Sequence, residues 1–178
     1  SDPSFVSSAP VVNPPVFSTA GFYVQNTSVA ILNVSVISTN SVSYGVYASS
    51  DYMTISSVNV DAGGNITQAG MRISSWTTIS YSSVTVGDAH GYWLDKSKLS
   101  NVSFSTAINN SAVSHAINVD GGNTNNFSVA FTSNSNNLGI GLYTVNSDSN
   151  TITLSTLWGG LRGIYLNIGS DYNAISLS

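Results

Sequence analysis

Two histidines and two aspartates in this chain recur at one interval: His90 to His115 and Asp95 to Asp120 are equal steps along the sequence. If the backbone repeats at that interval, each pair stacks one strand spacing apart, about 5 Å. Two carboxylates at that separation could hold a hard cation, or act as an acid and a nucleophile. Two imidazoles with Asp88 supply donors for a transition metal. Arg72 and Lys96 fall in the same frame. Against these readings stands plain turn polarity, because Asp88, His90, Lys96, His115 and Asp120 each sit next to a Gly or a Ser. The turn reading is preferred. No catalytic, cofactor or metal residue is expected, and the chain is expected not to be an enzyme.

The elements that must position these residues are legible as a repeat. One phrase recurs at seven places: "GFYVQNTS" from Gly21, "GVYASSDY" from Gly45, "GMRISSWT" from Gly70, "GYWLDKSK" from Gly91, "AINVDGGN" from Ala116, "GLYTVNSD" from Gly141 and "GIYLNIGS" from Gly163. Each copy runs on into a second alternating segment, such as "MTISSVNV" or "TITLSTLW". The copies follow one another at roughly 21–25 residues, and self-similarity at such a period marks a solenoid. Leucine-rich repeats share the period but need a Leu-x-x-Leu-x-Leu frame, which is absent. Sandwiches and barrels do not repeat a phrase in register, and left-handed β-helices use hexapeptides. The fold expected is all-β: a single right-handed parallel β-helix of about seven coils over residues 21–178, preceded by an extended segment at 1–20.

The period of two assigns faces. One and three residues after the corner Gly lie Phe22, Val46, Met71, Tyr92, Ile117, Leu142 and Ile164, and Val24, Ala48, Ile73, Leu94, Val119, Thr144 and Leu166. These point inward. The corner Gly suits a tight bend where a side chain would clash. Asn101, Asn126 and Asn173, with Asn150 one place earlier, are expected to stack as structural turn residues. The outward position between the inward pair reads Tyr23, Tyr47, Arg72, Trp93, Asn118, Tyr143, Tyr165. Five aromatic residues on a face that should be polar call for a partner protein, a sugar, or cover from the N-terminal segment.

The repeated phrase resembles right-handed parallel β-helices of the pectate-lyase type, and the repeats of periplasmic copper-binding and carbohydrate-active β-helix proteins. The likeness spans about residues 21 to 178 and implies the fold. It implies no site: the dense Asp, Arg, Lys and His sets of polygalacturonases and pectate lyases have no counterpart here. Copper binding is equally unsupported, with no Cys and only Met53 and Met71.

Composition narrows the rest. The 178 residues include eight acids, all Asp, and four basic residues, for a net charge of −4. Nothing here could neutralise a run of phosphates, so nucleic acid is excluded as a partner. No apolar run approaches the length of a spanning helix. Six Asn-x-Ser/Thr sequons, at Asn26, Asn33, Asn65, Asn101, Asn109 and Asn126, are candidates for N-linked glycans in a secreted protein. The start at "SDPSFVSSAP" suits a mature end after removal of a signal peptide. Residues 1–20 carry Pro3, Pro10, Pro14 and Pro15, which exclude helix, and also Phe5, Val6, Val11, Val12, Val16 and Phe17, too apolar for a solvated tail.

These features together point to an extracellular structural protein that self-associates into a homopolymer. In that reading the N-terminal segment serves as a donor strand on a neighbour, the competing outcome being that it folds back to cap its own molecule; the polymer would serve adhesion or cell–cell contact. Its interface residues would be Val11, Val12, Val16, Phe17, Tyr23, Tyr47, Trp93, Tyr143, Tyr165, Ile175 and Leu177. The rivals are a carbohydrate-binding or carbohydrate-active β-helix and a fragment of a larger adhesin or tailspike.

Overall fold

The computed structural model describes residues 9–128 and 130–176. It is a parallel β-solenoid of about seven coils, with no helix among the described residues. Each coil has three arms. The first arms are Ala20–Val24, Val42–Ala48, Ile66–Ile73, His90–Asp95, His115–Asp120, Ile140–Val145 and Arg162–Leu166, and they form one seven-stranded sheet. The second arms include Thr78–Ser80, Asn101–Ser103, Asn126–Ser128, Thr151–Thr153 and Ala174–Ser176, and the third arms include Ser83–Val86, Thr106–Asn109, Phe131–Asn134 and Thr156–Gly159. Second and third arms merge in the long strand Thr54–Gly63, which joins them into one twelve-stranded sheet. All pairings are parallel, coil on coil.

The alternation builds the core as expected. Val46, Met71, Tyr92, Ile117 and Leu142 are buried in one column, and Ala48, Ile73, Leu94, Val119 and Thr144 in the next. Ile55, Ile79, Val102, Phe127 and Ile152 face them from the second arms. The corner Gly is required by close approach. A Cβ on Gly45 would lie 2.5 Å from Val60 Cγ1 and 2.7 Å from the Gly70 carbonyl oxygen.

The bends are made differently from what turn composition suggests. Ser28, Tyr52, Trp76, Leu99, Thr124, Ser149 and Tyr172 all adopt left-handed φ between 51° and 61°. They form one column at the bend into the second arm. Asn33, Ser57, Tyr81, Phe104 and Leu154 repeat this, with φ between 47° and 55°, at the bend into the third. Each bulky residue held there costs on the order of 1–2 kcal/mol, which Gly or Asn would avoid.

The asparagine ladder is present, with Asn150 and Asn173 in it as expected, but Ser100 and Asn125 take the places expected for Asn101 and Asn126. Its rungs are Ser100, Asn125, Asn150 and Asn173. The N–H of Ser100 donates to Asn125 Oδ1 (2.9 Å), that of Asn125 to Asn150 Oδ1 (2.9 Å) and that of Asn150 to Asn173 Oδ1 (2.8 Å). Asn101 and Asn126 form a second, outward column, in register with Thr78 and Thr151. Counting from the corner Gly slips by one because the loop before the second arm varies in length.

The N-terminal segment is not a free arm over its described part. Val11–Val12 pairs with Ser35 and Val36, and Asn13 and Pro14 bond to Thr39 and Asn40. Residues 9–20 thus begin a part-coil under the first complete one. Of the two outcomes expected for this segment, the described part of it follows folding back on its own molecule: the main chain of Val11 and Val12 is engaged on its own coil because its register continues the repeat. Val16 and Phe17 remain exposed, at 60% and 98%. Phe5, Val6 and Leu177 lie outside the described residues.

Candidate functional site

The outward stripe of the first arms is continuous in register: Tyr23 opposite Tyr47, Tyr47 opposite Arg72, Arg72 opposite Trp93, Trp93 opposite Asn118, Asn118 opposite Tyr143, and Tyr143 opposite Tyr165. The side chains do more than align. Tyr23 and Tyr47 stack with centroids 5.0 Å apart and planes 6° from parallel. The Arg72 guanidinium lies between Tyr47 and Trp93, 4.9 and 4.6 Å from their ring centres. It also donates to Tyr44 Oη and forms an ion pair with Asp95. Burial makes the guanidinium harder to charge, but the bonds it donates to Asp95 and Tyr44 outweigh that and raise its pKa.

Asn118 is buried and drops out of the outer row. The gap is bridged by the two histidines. His90 lies 5.5 Å from Trp93, His115 lies 5.5 Å from His90, and Tyr143 lies 4.4 Å from His115. The backbone N–H of His115 donates to His90 Nδ1 at 2.9 Å, which fixes that nitrogen as an unprotonated acceptor. Burial lowers the His90 pKa to about 4. Burial, then the neighbouring His90, lowers that of His115 to about 4 as well. Both rings are therefore neutral members of a ring ladder that runs from Tyr23 to Tyr165.

The expected chemical neighbours are brought together, but as pairs. Asp95 and Asp120 face each other in register, with Asp95 committed to Arg72. Asp88 is exposed and accepts from Ser114 Oγ through its backbone carbonyl. Lys96 is exposed at a bend with φ 53°. Among the described residues no group of three or more His, Asp or Glu side chains assembles. No pocket is present among the described residues.

The sequons separate by environment. Asn26 and Asn33 are exposed. Asn65 Nδ2 donates to the Ser38 carbonyl at 2.8 Å, and Asn126 Nδ2 to Asn101 Oδ1 at 3.0 Å. Asn109 is 1% exposed, with Nδ2 bonded to the Ala89 carbonyl at 3.1 Å, so its side chain has no room for a glycan. This corrects the expectation for that sequon. The third arm alternates, and Asn109 falls on its inward face. Asn101 Nδ2 donates to no described group, and its Oδ1 accepts from Asn126.

Sequence reasoning missed the exposed aromatic bends. Tyr52 stacks on Trp76 and Tyr81 on Phe104, each pair with centroids 5.1 Å apart. Their separation in sequence, one coil in each case, was the available signal. Among known proteins, no family model, no curated protein and no solved structure matches this chain, so the solenoid stands on its geometry and the pectate-lyase likeness on its repeat phrase alone.

Proposed function

We propose that this chain is an extracellular structural protein whose solenoids stack end to end into a filament or fibre at a cell surface, for adhesion or cell–cell contact. The last described coil carries the reading. Leu166 and Ile175 occupy inward columns that are buried in earlier coils, yet they are 37% and 41% exposed. An open apolar column beside a strand edge that pairs with nothing among the described residues is a surface that a further coil fits, whichever polypeptide supplies it. The opposite end offers matching positions. A second copy set coaxially on the first would place Phe22 over Ile164, Tyr23 over Tyr165 and Val24 over Leu166, continuing both the core and the ring ladder. Such a contact joins two different surfaces and does not close, so it propagates. Exposed sequons and a low density of charge support a location outside the cell.

Electron microscopy and light scattering over a concentration series test this. Full-length protein should form filaments, and Leu166→Asp with Ile175→Asp should leave folded monomers. A wild-type chain that stays monomeric at high concentration would refute it. The rival carbohydrate reading draws on Arg72, Trp93 and Asp95. There the Arg72 guanidinium covers one face of Tyr47 and of Trp93, which leaves a poor platform for a sugar.

A further inference from the structure

One face of the solenoid combines three features that no packing need explains. Its floor is the outward side of the second arms. One column there reads Thr54, Thr78, Asn101, Asn126 and Thr151, and its neighbour Ser56, Ser80, Ser103, Ser128 and Thr153, in register. No charged side chain stands in either column. The floor is edged by the two columns of left-handed bends, and around the middle coils those edges are apolar: Tyr52, Trp76 and Leu99 on one side, Tyr81 and Phe104 on the other. All five are exposed, from 39% for Trp76 to 65% for Tyr81. Most bends elsewhere in the same columns use Ser, Thr or Asn, which suit left-handed backbone better or leave less apolar surface in water. The third feature is a sequon on the floor itself. Asn101 and Ser103 are two places apart on one strand, so both point outward. Leu99 and Phe104 flank them in the same coil.

We propose that Asn101 is an N-glycosylation site and that its first sugars lie on this hydroxyl floor between the two apolar edges. The inference rests on the extracellular reading above. Asn101 alone among the sequons joins an Nδ2 that donates to no described group, an outward strand position and apolar side chains on both sides. Asn26 and Asn33 are open but stand in neither column of the floor, Asn33 being itself one of the bends that edge it, while Asn126 has Thr124 in place of an apolar neighbour at the first bend. Glycan transfer joins Asn101 Nδ2 to the anomeric carbon of an oligosaccharide activated on a polyprenyl diphosphate. The carbon–oxygen bond to the carrier breaks, the carrier leaves with that electron pair, and the amide gives up one proton. Attachment leaves Asn101 Oδ1 able to keep the Asn126 bond. A pyranose then sets its hydroxyls toward Ser80, Ser103 and Thr78 and its C–H faces toward Trp76, Leu99 and Phe104, as amphipathic ring surfaces favour. The sugar covers apolar surface that the fold would otherwise leave in water.

Peptide-level mass spectrometry of protein isolated from the cells that make it tests the site. Sugar is expected on Asn101 and absent from Asn109. Binding of an apolar dye tests the bed. Asn101→Gln made in the same cells should bind severalfold more dye than wild type. Trp76→Ser with Phe104→Ser, at exposed bends that tolerate Ser, should remove most of that increase. A bare Asn101 with sugar on Asn26 or Asn33 overturns the proposal and leaves the extracellular reading standing. No sugar on any sequon overturns the proposal and withdraws one support of that reading, while filament assembly is scored separately. A glycosylated Asn101 with unchanged dye binding in Asn101→Gln overturns the sugar's seat on the floor.

Discussion

Mild acid should loosen this solenoid through His90 and His115. Both have folded pKa values lowered to about 4, from an unfolded value near 6.5. The folded state therefore resists a proton that the unfolded chain accepts. The stability these groups contribute is complete above pH 6.5, falls as the pH drops toward 4, and changes no further below that. Between pH 7 and pH 5, His90 alone accounts for a loss of about 2 kcal/mol. His115 is more open, and solvent screening reduces its share to about 1 kcal/mol. Geometry gives the same sign independently, because a protonated His90 Nδ1 cannot accept the His115 backbone N–H now at 2.9 Å. The combined loss of about 3 kcal/mol corresponds to a fall in Tm of about 6–12 °C for a chain this size. Urea unfolding at pH 7 and pH 5, followed by far-ultraviolet circular dichroism, measures it. The double variant His90→Gln, His115→Gln isolates the two rings, since it leaves every carboxylate in place. The double variant should lose most of the dependence. The reasoning fails if wild type shifts by less than about 0.5 kcal/mol between the two pH values, far below what proton linkage demands of two such groups. It fails equally if the variant keeps the full slope.

Other perturbations probe the core and the ladders. Ile117→Asp, at a site 1% exposed, should cost about 4 kcal/mol or more, whereas Ser176→Asp on the outward face should stay within about 0.5 kcal/mol, both by urea midpoint. Asn150→Ala removes the acceptor for the buried Asn125 N–H and two donated bonds, so a loss of about 2–4 kcal/mol is expected by the same measurement. Thr144 buries a hydroxyl with no partner among the described residues, and Thr144→Val should raise the thermal midpoint, by about 1 kcal/mol of added stability. Asp95→Asn with Asp120→Asn breaks one partly exposed ion pair; calorimetry should show a loss of about 1 kcal/mol or less, and added calcium should shift neither protein.

The parts of the structure set by the period of two were readable before any coordinates. Tyr92, Ile117 and Leu142 share a column because alternation within a strand and repetition between coils are both carried by residue type. The same arithmetic placed His90 under His115 and Asp95 under Asp120. What escaped was set by loop length and by bends. Two of the four ladder places fell one residue away, on Ser100 and Asn125, because the bend between Gly and the second arm is not of constant length. Trp76 and Phe104 gave no turn signal, since bulky side chains are poor left-handed residues and their placement reflects neighbours rather than propensity. The bridging of Asn118 by the histidines depends on side-chain direction, which spacing alone does not carry. The pairing of Val11–Val12 was hidden by the surrounding prolines, which suggest an arm lying across the surface.

The parallel ladder also sets how the molecule would respond to a pull. Its main-chain hydrogen bonds run from coil to coil, along the solenoid axis. Tension applied at the two ends loads them lengthwise at a terminal coil first, where few bonds share the force. Coils should then peel off singly, from the end inward. The stretch from Gly21 to Gly45 is one such coil. Folded, it advances the axis by about 5 Å, and fully drawn out it spans about 80 Å. One coil given up thus yields a long tether while the remaining coils stay closed. A strand of such units would lengthen in steps under load, and each shed coil could wind back onto the edge that its neighbour still presents.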